Sequence, residues 1–475
     1  MKRGGWLALA VLAPRLIAFF LNENLAGDAI ARTWLAHRWL SSPHVITHFS
    51  DGGMQFGPLH LYLLALAEVL WPSLLHAGRL VSLIAGALTA WPLYTLTARR
   101  FGERAATFAV LGFAFWGLHI QCSTTSASEA LNLLFVMSAA TLFDSERRWA
   151  AALMLNLACA TRYDSWLLVP LLGLAELWRS RSAIRAFTFG ASASVFAVAW
   201  LIGNQVGEGD ALYPIRFIDQ FHRAWWPAEA ANWGGAVYRL ICFSFWPGAA
   251  LLTLFPMVAG PGLVALRRSW KEQPGVRWVV ALIVVPALLY TVRGALMSSF
   301  TPLARFTMKE VLLLLPFAGA ALAAQRPRFA CSAIGLAAAW CIGLGAYCFE
   351  PGSRWSFTLR SIAATSRLEP ELRVTTDWLA QHPEGLLVVD EDPRGFDDLT
   401  ISYFSGRPFD DQLRRRYDRY EQALGTASPR WLALFDGGKL EVTHVDERHV
   451  DYRGARFELR HSARVKVYEL ITPRS

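Results

Sequence analysis

Gly27-Asp28-Ala29-Ile30-Ala31-Arg32 comes shortly after the apolar run 5–22, and the reading of this junction decides the fold. A carboxylate just beyond a first hydrophobic segment, with many more apolar segments behind it, describes a membrane bundle whose chemistry sits at the water boundary. An acid at such a mouth can take a proton from a hydroxyl arriving from water while a lipid-borne molecule approaches from the side.

Composition agrees with this reading. Hydrophobic residues make up 54% of the 475 and charged residues 17%, and the mean hydropathy is +0.30; soluble chains are rarely so apolar. The net charge of +9 does not mark a nucleic-acid partner. Its arginines are grouped in short connections between apolar runs, as at Arg99-Arg100, Arg147-Arg148 and Arg267-Arg268, which is a topology signal. The six cysteines show no CxxC or Cys/His metal spacing and read as small buried hydrophobes. Met1-Lys2-Arg3 before 5–22 resembles a secretory leader, but Pro14-Arg15 interrupts the run and no good small-x-small cleavage site follows. An uncleaved first span is expected.

Candidate spans lie near 5–22, 78–97, 105–120, 129–143, 149–162, 165–178, 186–203, 238–266, 277–293, 308–324 and 329–348, about eleven in all, several of them short for a hydrocarbon core of ~30 Å. The stretch 59–75 carries His60 and Glu68 and is broken at Trp71-Pro72, so it is expected to lie on the membrane surface. The basic connections then share the side of Lys2 and Arg3, the cytoplasmic side. The loops 23–77, 121–128, 204–237 and 294–307, and everything after 348, face outward.

Hydropathy falls after Cys348. Residues 371–382 are expected to be helical, and 385–390, 430–436, 439–445 and 464–471 are strand candidates. A small α/β domain of about 120 residues is expected to follow the bundle.

Several polar residues on the expected outer face are candidates for chemistry. Ala29, Ile30, Trp34 and Leu35 can form one apolar stripe, with Asp28 near the start of that helix as an N-cap, a base or both. Asp51 and His60 flank a Gly/Pro-rich turn; a turn residue and an interfacial hydrogen bond are their plain alternatives to lining a site. Glu129 opens a span after a polar loop and either caps its helix or serves as a second acid, toward a sugar or a divalent cation. Arg162 has a structural pairing with Asp164 as one reading and a grip on a lipid phosphate as the other. Arg305 is an interfacial anchor or, with Lys309, part of an anion site.

The order of first span, Gly-Asp-Ala-Ile-Ala-Arg, the Gly57-Pro58-Leu59-His60-Leu61-Tyr62 helix, Gly78-Arg79-Leu80-Val81-Ser82-Leu83 and Arg99-Arg100-Phe101-Gly102 resembles the GT-C class of integral-membrane glycosyltransferases. Among these it is nearest to bacterial relatives of protein O-mannosyltransferases and to the lipid A aminoarabinose transferases. The resemblance covers residues 5–348. It implies a polytopic α-helical bundle over 1–350 and an extracytoplasmic α/β domain over 351–475 in a bacterial plasma membrane. It further implies a polyprenyl-phosphate sugar donor, a glycan, lipid or protein acceptor, and Asp28 as catalytic base. Glu129 matches the acid after the third span, and Arg162 and Arg305 fall where basic residues meet the donor phosphate. Between Asp51 and Pro58 the chain departs from the aminoarabinose-transferase pattern, lacking a Glu-Lys-Pro-Pro-like stretch, so no cofactor is assigned and a divalent cation stays open. The competing class is a transporter or flippase, which would show paired broken helices in two repeated halves; no internal repeat is present.

Overall fold

The computed structural model describes residues 2–25, 27–53, 57–349, 359–391, 397–407 and 429–472. They fall into two compact units. The first comprises 1–23 and 35–366, and the second comprises 24–34 and 367–475.

The first unit is helical throughout. Among the described residues four helices are long and apolar enough to cross a membrane, Ala77–Phe101, Pro274–Leu296, Ala304–Ala323 and Pro327–Tyr347, and the number rises to seven if each bent helix pair forms one span. Helices also occupy the expected spans near 129–143, 149–162 and 165–178, but at 17, 14 and 13 residues they are short ones. Helix Pro58–Leu70 has 13 residues, too few to cross the hydrocarbon core at 1.5 Å per residue.

Two expectations are corrected. The run 238–266 is not one span but three helices, Gly235–Phe243, Phe245–Leu254 and Pro256–Glu272, the first two meeting at 72°. Phe255 precedes a proline, which disfavours helical backbone there, and takes a φ of +71°. The loop 204–237 contains the 21-residue helix Tyr213–Trp233. Pro214, His222 and Trp226 are its buried residues, spaced in multiples of four, and the Trp226 indole donates to the Gly294 carbonyl at 3.1 Å. A polar opposite face lowers the average hydropathy, which is how the helix passes for a loop.

Helix Met308–Ala323 is the most buried of the long helices, with every residue from Met308 to Gly319 buried. Small residues let its neighbours approach: a Cβ on Gly319 would lie 2.3 Å from the Ala105 carbonyl oxygen, and one on Gly262 3.0 Å from the Ala318 methyl. This close packing fixes the start of the helix, where Lys309 and Glu310 stand.

In the second unit, six strands are ordered β1-β2-β6-β5-β4-β3: β1 Leu387–Val389, β2 Trp431–Phe435, β3 Thr443–His444, β4 His449–Tyr452, β5 Ala455–Ser462 and β6 Val465–Thr472. β1 and β2 are parallel and the other pairs antiparallel. Helix Pro370–Gln381 buries Leu372 and Leu379 against Val389, Trp431, Ala433 and Val467 on one face of the sheet. Val388, Leu432, Val450, Tyr452, Phe457 and Tyr468 form a core on the other face. β1 and β2 are thus buried on both faces. The expected strand 439–445 is reduced to two residues, and β4 and β5 are additional to the expected set.

Candidate functional site

Four of the residues singled out in the sequence, Glu129, Arg162, Asp164 and Lys309, meet in the first unit. Glu129 occupies the first turn of helix Ser128–Asp144, where a carboxylate is favoured by the positive end of the helix. Arg162 ends helix Arg148–Thr161 in extended backbone and leads into the 3₁₀ turn Tyr163–Leu167, which carries Asp164. Asn132 ties these pieces together by donating to the Ala158 carbonyl at 3.0 Å and the Ser165 hydroxyl at 2.7 Å.

The charges form a continuous chain. Arg162 Nη1 donates to Glu129 Oε1 at 2.6 Å and to Ser128 Oγ at 3.1 Å, and Arg162 Nε reaches Asp164 Oδ1 at 3.3 Å. Lys309 Nζ lies 2.6 Å from Asp164 Oδ2. Glu129 and Lys309 are only 4% and 5% exposed in their side chains, Arg162 12% and Asp164 26%. Burial alone would push the Asp164 carboxyl up, but Lys309 and Arg162 hold it well below the usual carboxylate range. Two basic and two acidic side chains thus alternate along one chain of contacts, where a lone charge would be costly.

Arg305 stands in the 3₁₀ turn Ala304–Thr307 that leads into the helix of Lys309. It is half-buried, with its guanidinium 5.4 Å from the centre of the Phe306 ring. Phe306 in turn packs on Phe300, which stacks on Tyr290 at 4.9 Å.

Asp51 lies in the turn Phe49–Gly53. Its Oδ2 accepts from the Thr47 amide at 2.9 Å and the Thr47 hydroxyl at 3.2 Å, and His44 Nε2 is 3.2 Å from its Oδ1. It closes a turn that is docked on helix Val195–Glu208: Asn204 Oδ1 accepts from the Phe49 amide and Glu208 Oε1 from the Ser50 amide. Both ring nitrogens of His44 face oxygens, the Ser42 carbonyl at 2.8 Å and the Asp51 carbonyl at 3.1 Å, which raises its pKa. His60 is fully buried in helix Pro58–Leu70. That helix starts beside Gly57, whose Cβ, if present, would lie 2.0 Å from the Ala160 carbonyl oxygen, two residues before Arg162.

Asp28 lies in the second unit, half-buried inside the first turn of helix Gly27–Ser41 rather than ahead of it. The expected stripe is present, with Ala29, Ile30 and Trp34 buried and Leu35 half-buried. Asn24 braces the segment, donating to Thr33 Oγ1 at 3.2 Å and Tyr403 Oη at 2.9 Å.

Sequence reading passed over two buried arginines. Arg15 donates to the Val11 and Phe113 carbonyls, contacts His119 Nδ1 at 2.9 Å and lies over the Phe113 ring. Arg79 donates to the Thr124 and Phe19 carbonyls. They tie helix Lys2–Leu21 to helix Gly117–Thr124, and a charge inside an apolar run was the available signal for Arg15. Among the described residues no group of three or more His, Cys, Asp or Glu side chains is arranged to hold a metal ion.

No protein-family model and no curated protein matches the chain. Solved structures do. ArnT from Cupriavidus metallidurans bound to undecaprenyl phosphate superposes with a TM-score of 0.60 at 13% identity over 98% of both chains. The chain has the GT-C fold. The apo form of the same ArnT gives 0.58, again at 13% identity and 98% of each chain. A lower similarity, TM-score 0.48 at 14% identity over 91% of this chain and 69% of the other, is found to the archaeal oligosaccharyltransferase AglB from Archaeoglobus fulgidus in complex with an inhibitory peptide and a dolichol-phosphate. The expected polytopic GT-C architecture with a C-terminal sheet domain is thus borne out, while the number of spans is not fixed by it.

Proposed function

We propose that the protein transfers a sugar from a polyprenyl-phosphate donor to an acceptor hydroxyl at the outer face of a bacterial plasma membrane, with the second unit extracytoplasmic. The observation that carries this reading is the ArnT-like fold over 98% of both chains, in a neighbour solved with undecaprenyl phosphate. The buried ionic chain in the first unit supports it, since paired arginine and lysine held ready in an apolar bundle suit an anionic headgroup.

In the proposed reaction the acceptor oxygen attacks the anomeric carbon and its proton passes to the Asp28 carboxylate. The bond from that carbon to the phosphate oxygen breaks, and polyprenyl phosphate leaves with the electron pair. One displacement inverts the anomeric configuration. General base help of this kind contributes ~10²–10⁴-fold. Arg162 and Arg305 would stabilise charge developing on the leaving phosphate, with Glu129 and Asp164 orienting Arg162 and Lys309. The acceptor is a glycan, lipid or protein, and the sugar a hexose or a pentose.

Three bent helix pairs, Glu103–Thr124, Ala183–Glu208 and Gly235–Leu254, are a feature that a flippase would share. Proteoliposomes loaded with a lipid-linked sugar separate the two classes. The expected result is release of free polyprenyl phosphate together with a glycosylated acceptor, and a higher donor KM for Arg162→Ala and Arg305→Ala than for Arg448→Ala in the second unit. Movement of intact lipid-linked sugar between leaflets, with no cleavage, would replace the transferase reading with the transporter one.

A further inference from the structure

A second polar site lies at another set of helix ends in the first unit. The last turn of helix Ala90–Phe101 supplies Arg99 and Arg100, helix Ser128–Asp144 ends on Asp144, and the last turn of helix Leu168–Ser180 supplies Arg179. With Ser145 and Glu146 these side chains line a cleft of about 620 Å³.

Asp144 is the buried pivot of the cleft, 1% exposed in its side chain, and it accepts from Arg99 Nε at 3.2 Å and from Arg100 Nε at 2.6 Å. Arg179 donates to the Phe143 carbonyl at 3.0 Å and pairs with Glu146, whose side chain is 69% exposed. Glu146 sits in a left-handed turn at φ +62° that directs it to the rim. The lining therefore carries three guanidinium groups against two carboxylates. Asp144 engages Arg99 only through Nε. Its two terminal nitrogens make no hydrogen bond among the described residues, and its side chain is half exposed.

The surroundings point to what such a cleft holds. Trp149 and Trp178, in the first turn of one flanking helix and the last turn of the next, are 72% and 49% exposed, as indoles at a membrane-water boundary are. Leu174 and Leu177, on the side of the same helix away from Arg179, are exposed as well, as lipid-facing side chains are. A basic pocket between helix ends, at the level of the helix turns that carry these exposed indoles, sits where lipid headgroups lie and matches their phosphate. A planar fork such as Arg99 offers is suited to two oxygens of one phosphate.

We propose that this cleft binds the headgroup phosphate of an anionic phospholipid, with Arg99 and Arg179 as the contacting cations and the Asp144 pair holding Arg100 in the wall. The inference does not depend on the transferase reading, because it concerns residues that the proposed chemistry does not use.

The test uses the purified full-length protein in detergent, titrated with phosphatidylglycerol, phosphatidylcholine of equal chain length or inorganic phosphate, and read by native mass spectrometry and thermal stability. Saturable binding of phosphatidylglycerol is expected, weakened about fivefold by Arg99→Gln and again by Arg179→Gln, the effect of one basic residue near an anionic surface. Glu146→Gln, which removes the carboxylate competing for Arg179, should tighten it. Arg99→Gln leaves Arg100 on Asp144, so this variant retains the buried pair and keeps the test valid if Arg179→Gln fails to fold. Equal binding of the two lipids, or phosphatidylglycerol binding untouched by Arg99→Gln, would overturn the proposal. A response to inorganic phosphate equal to that of the lipid would overturn the lipid assignment in favour of a soluble anion.

Discussion

Arg162 Nη1 lies 2.6 Å from Glu129 Oε1, joining the first turn of one helix to the end of the next across 33 residues of chain. Both side chains are largely buried, so removing one leaves an uncompensated charge; breaking a buried pair in this way costs ~3–5 kcal/mol. Glu129→Ala should therefore lower the thermal midpoint of the purified protein markedly. Glu129→Leu with Arg162→Met, which removes both charges, should recover much of the loss. Equal midpoints for wild type and Glu129→Ala would show that the pair does not support the bundle.

This pair also marks how far the sequence could be read. The pairing of Arg162 with Asp164 was available from their spacing, and it forms at 3.3 Å. Glu129 and Lys309 as the further partners were not, because nothing local brings residues 129, 162 and 309 together; close packing of helix Met308–Ala323 does. Apolar runs located the bundle because its helices bury or expose long hydrophobic faces. Helix Tyr213–Trp233 escaped because its polar face dilutes the signal. In the second unit the β4–β5 hairpin turns through Arg453 and Gly454, both with positive φ, between Val450/Tyr452 and Ala455/Phe457. The alternation was present, but the charged residues between the buried ones hid it. Asp28 could be placed at a helix start from sequence, and no local pattern distinguishes a base from a residue that merely favours the helix dipole.

The docked turn around His44 should be pH-sensitive. Both ring nitrogens face oxygens, so the protonated form is favoured and the folded pKa is raised above the usual 6.5. The contacts of His44 are then fully present below that value and are lost as pH rises through the higher, folded pKa. Limited proteolysis within residues 42–53 should be slower at pH 6 than at pH 8.5, relative to a peptide control of the same sequence. His44→Gln should remove the difference; a pH effect that survives this substitution would lie elsewhere.

Gly207 explains why that turn stays close to helix Val195–Glu208. A Cβ there would lie 2.4 Å from the His48 ring. Gly207→Ala should push the turn off the helix, with a cost of ~1–3 kcal/mol as for other overpacked contacts. The same proteolysis assay should show faster cutting at every pH. Unchanged cutting would mean that the His48 ring moves aside without releasing the turn.

The proposed outer-face reaction requires the second unit to lie outside the cytoplasm, which a single exposed thiol can test. Cys331 is the exposed cysteine of the six, so the background is Cys331→Ser. Glu441→Cys, on the exposed connection before β3, should react with an impermeant maleimide on intact spheroplasts. Reaction only after the membrane is opened would place Asp28 and the sheet domain on the cytoplasmic side, and the outer-face reaction would fall with it.

Asp28→Asn is the most direct test of the proposed chemistry. Asp28 sits inside the first turn of helix Gly27–Ser41, so the substitution keeps its size and removes the charge that favours the helix start, an effect of ~0.3–1 kcal/mol. The surrounding braces, Asn24 on Thr33 and Tyr403, are untouched. The neutral amide cannot accept the acceptor proton, so sugar transfer should fall ~10²–10⁴-fold while the thermal midpoint and the affinity for the lipid donor stay near wild type. A reduced midpoint with transfer rates preserved in the remaining folded protein would leave Asp28 as a helix-stabilising residue only. The base would then have to be sought at Asp51 or Glu129, and the buried pairing of Glu129 with Arg162 makes Asp51, at the more exposed turn, the first to replace.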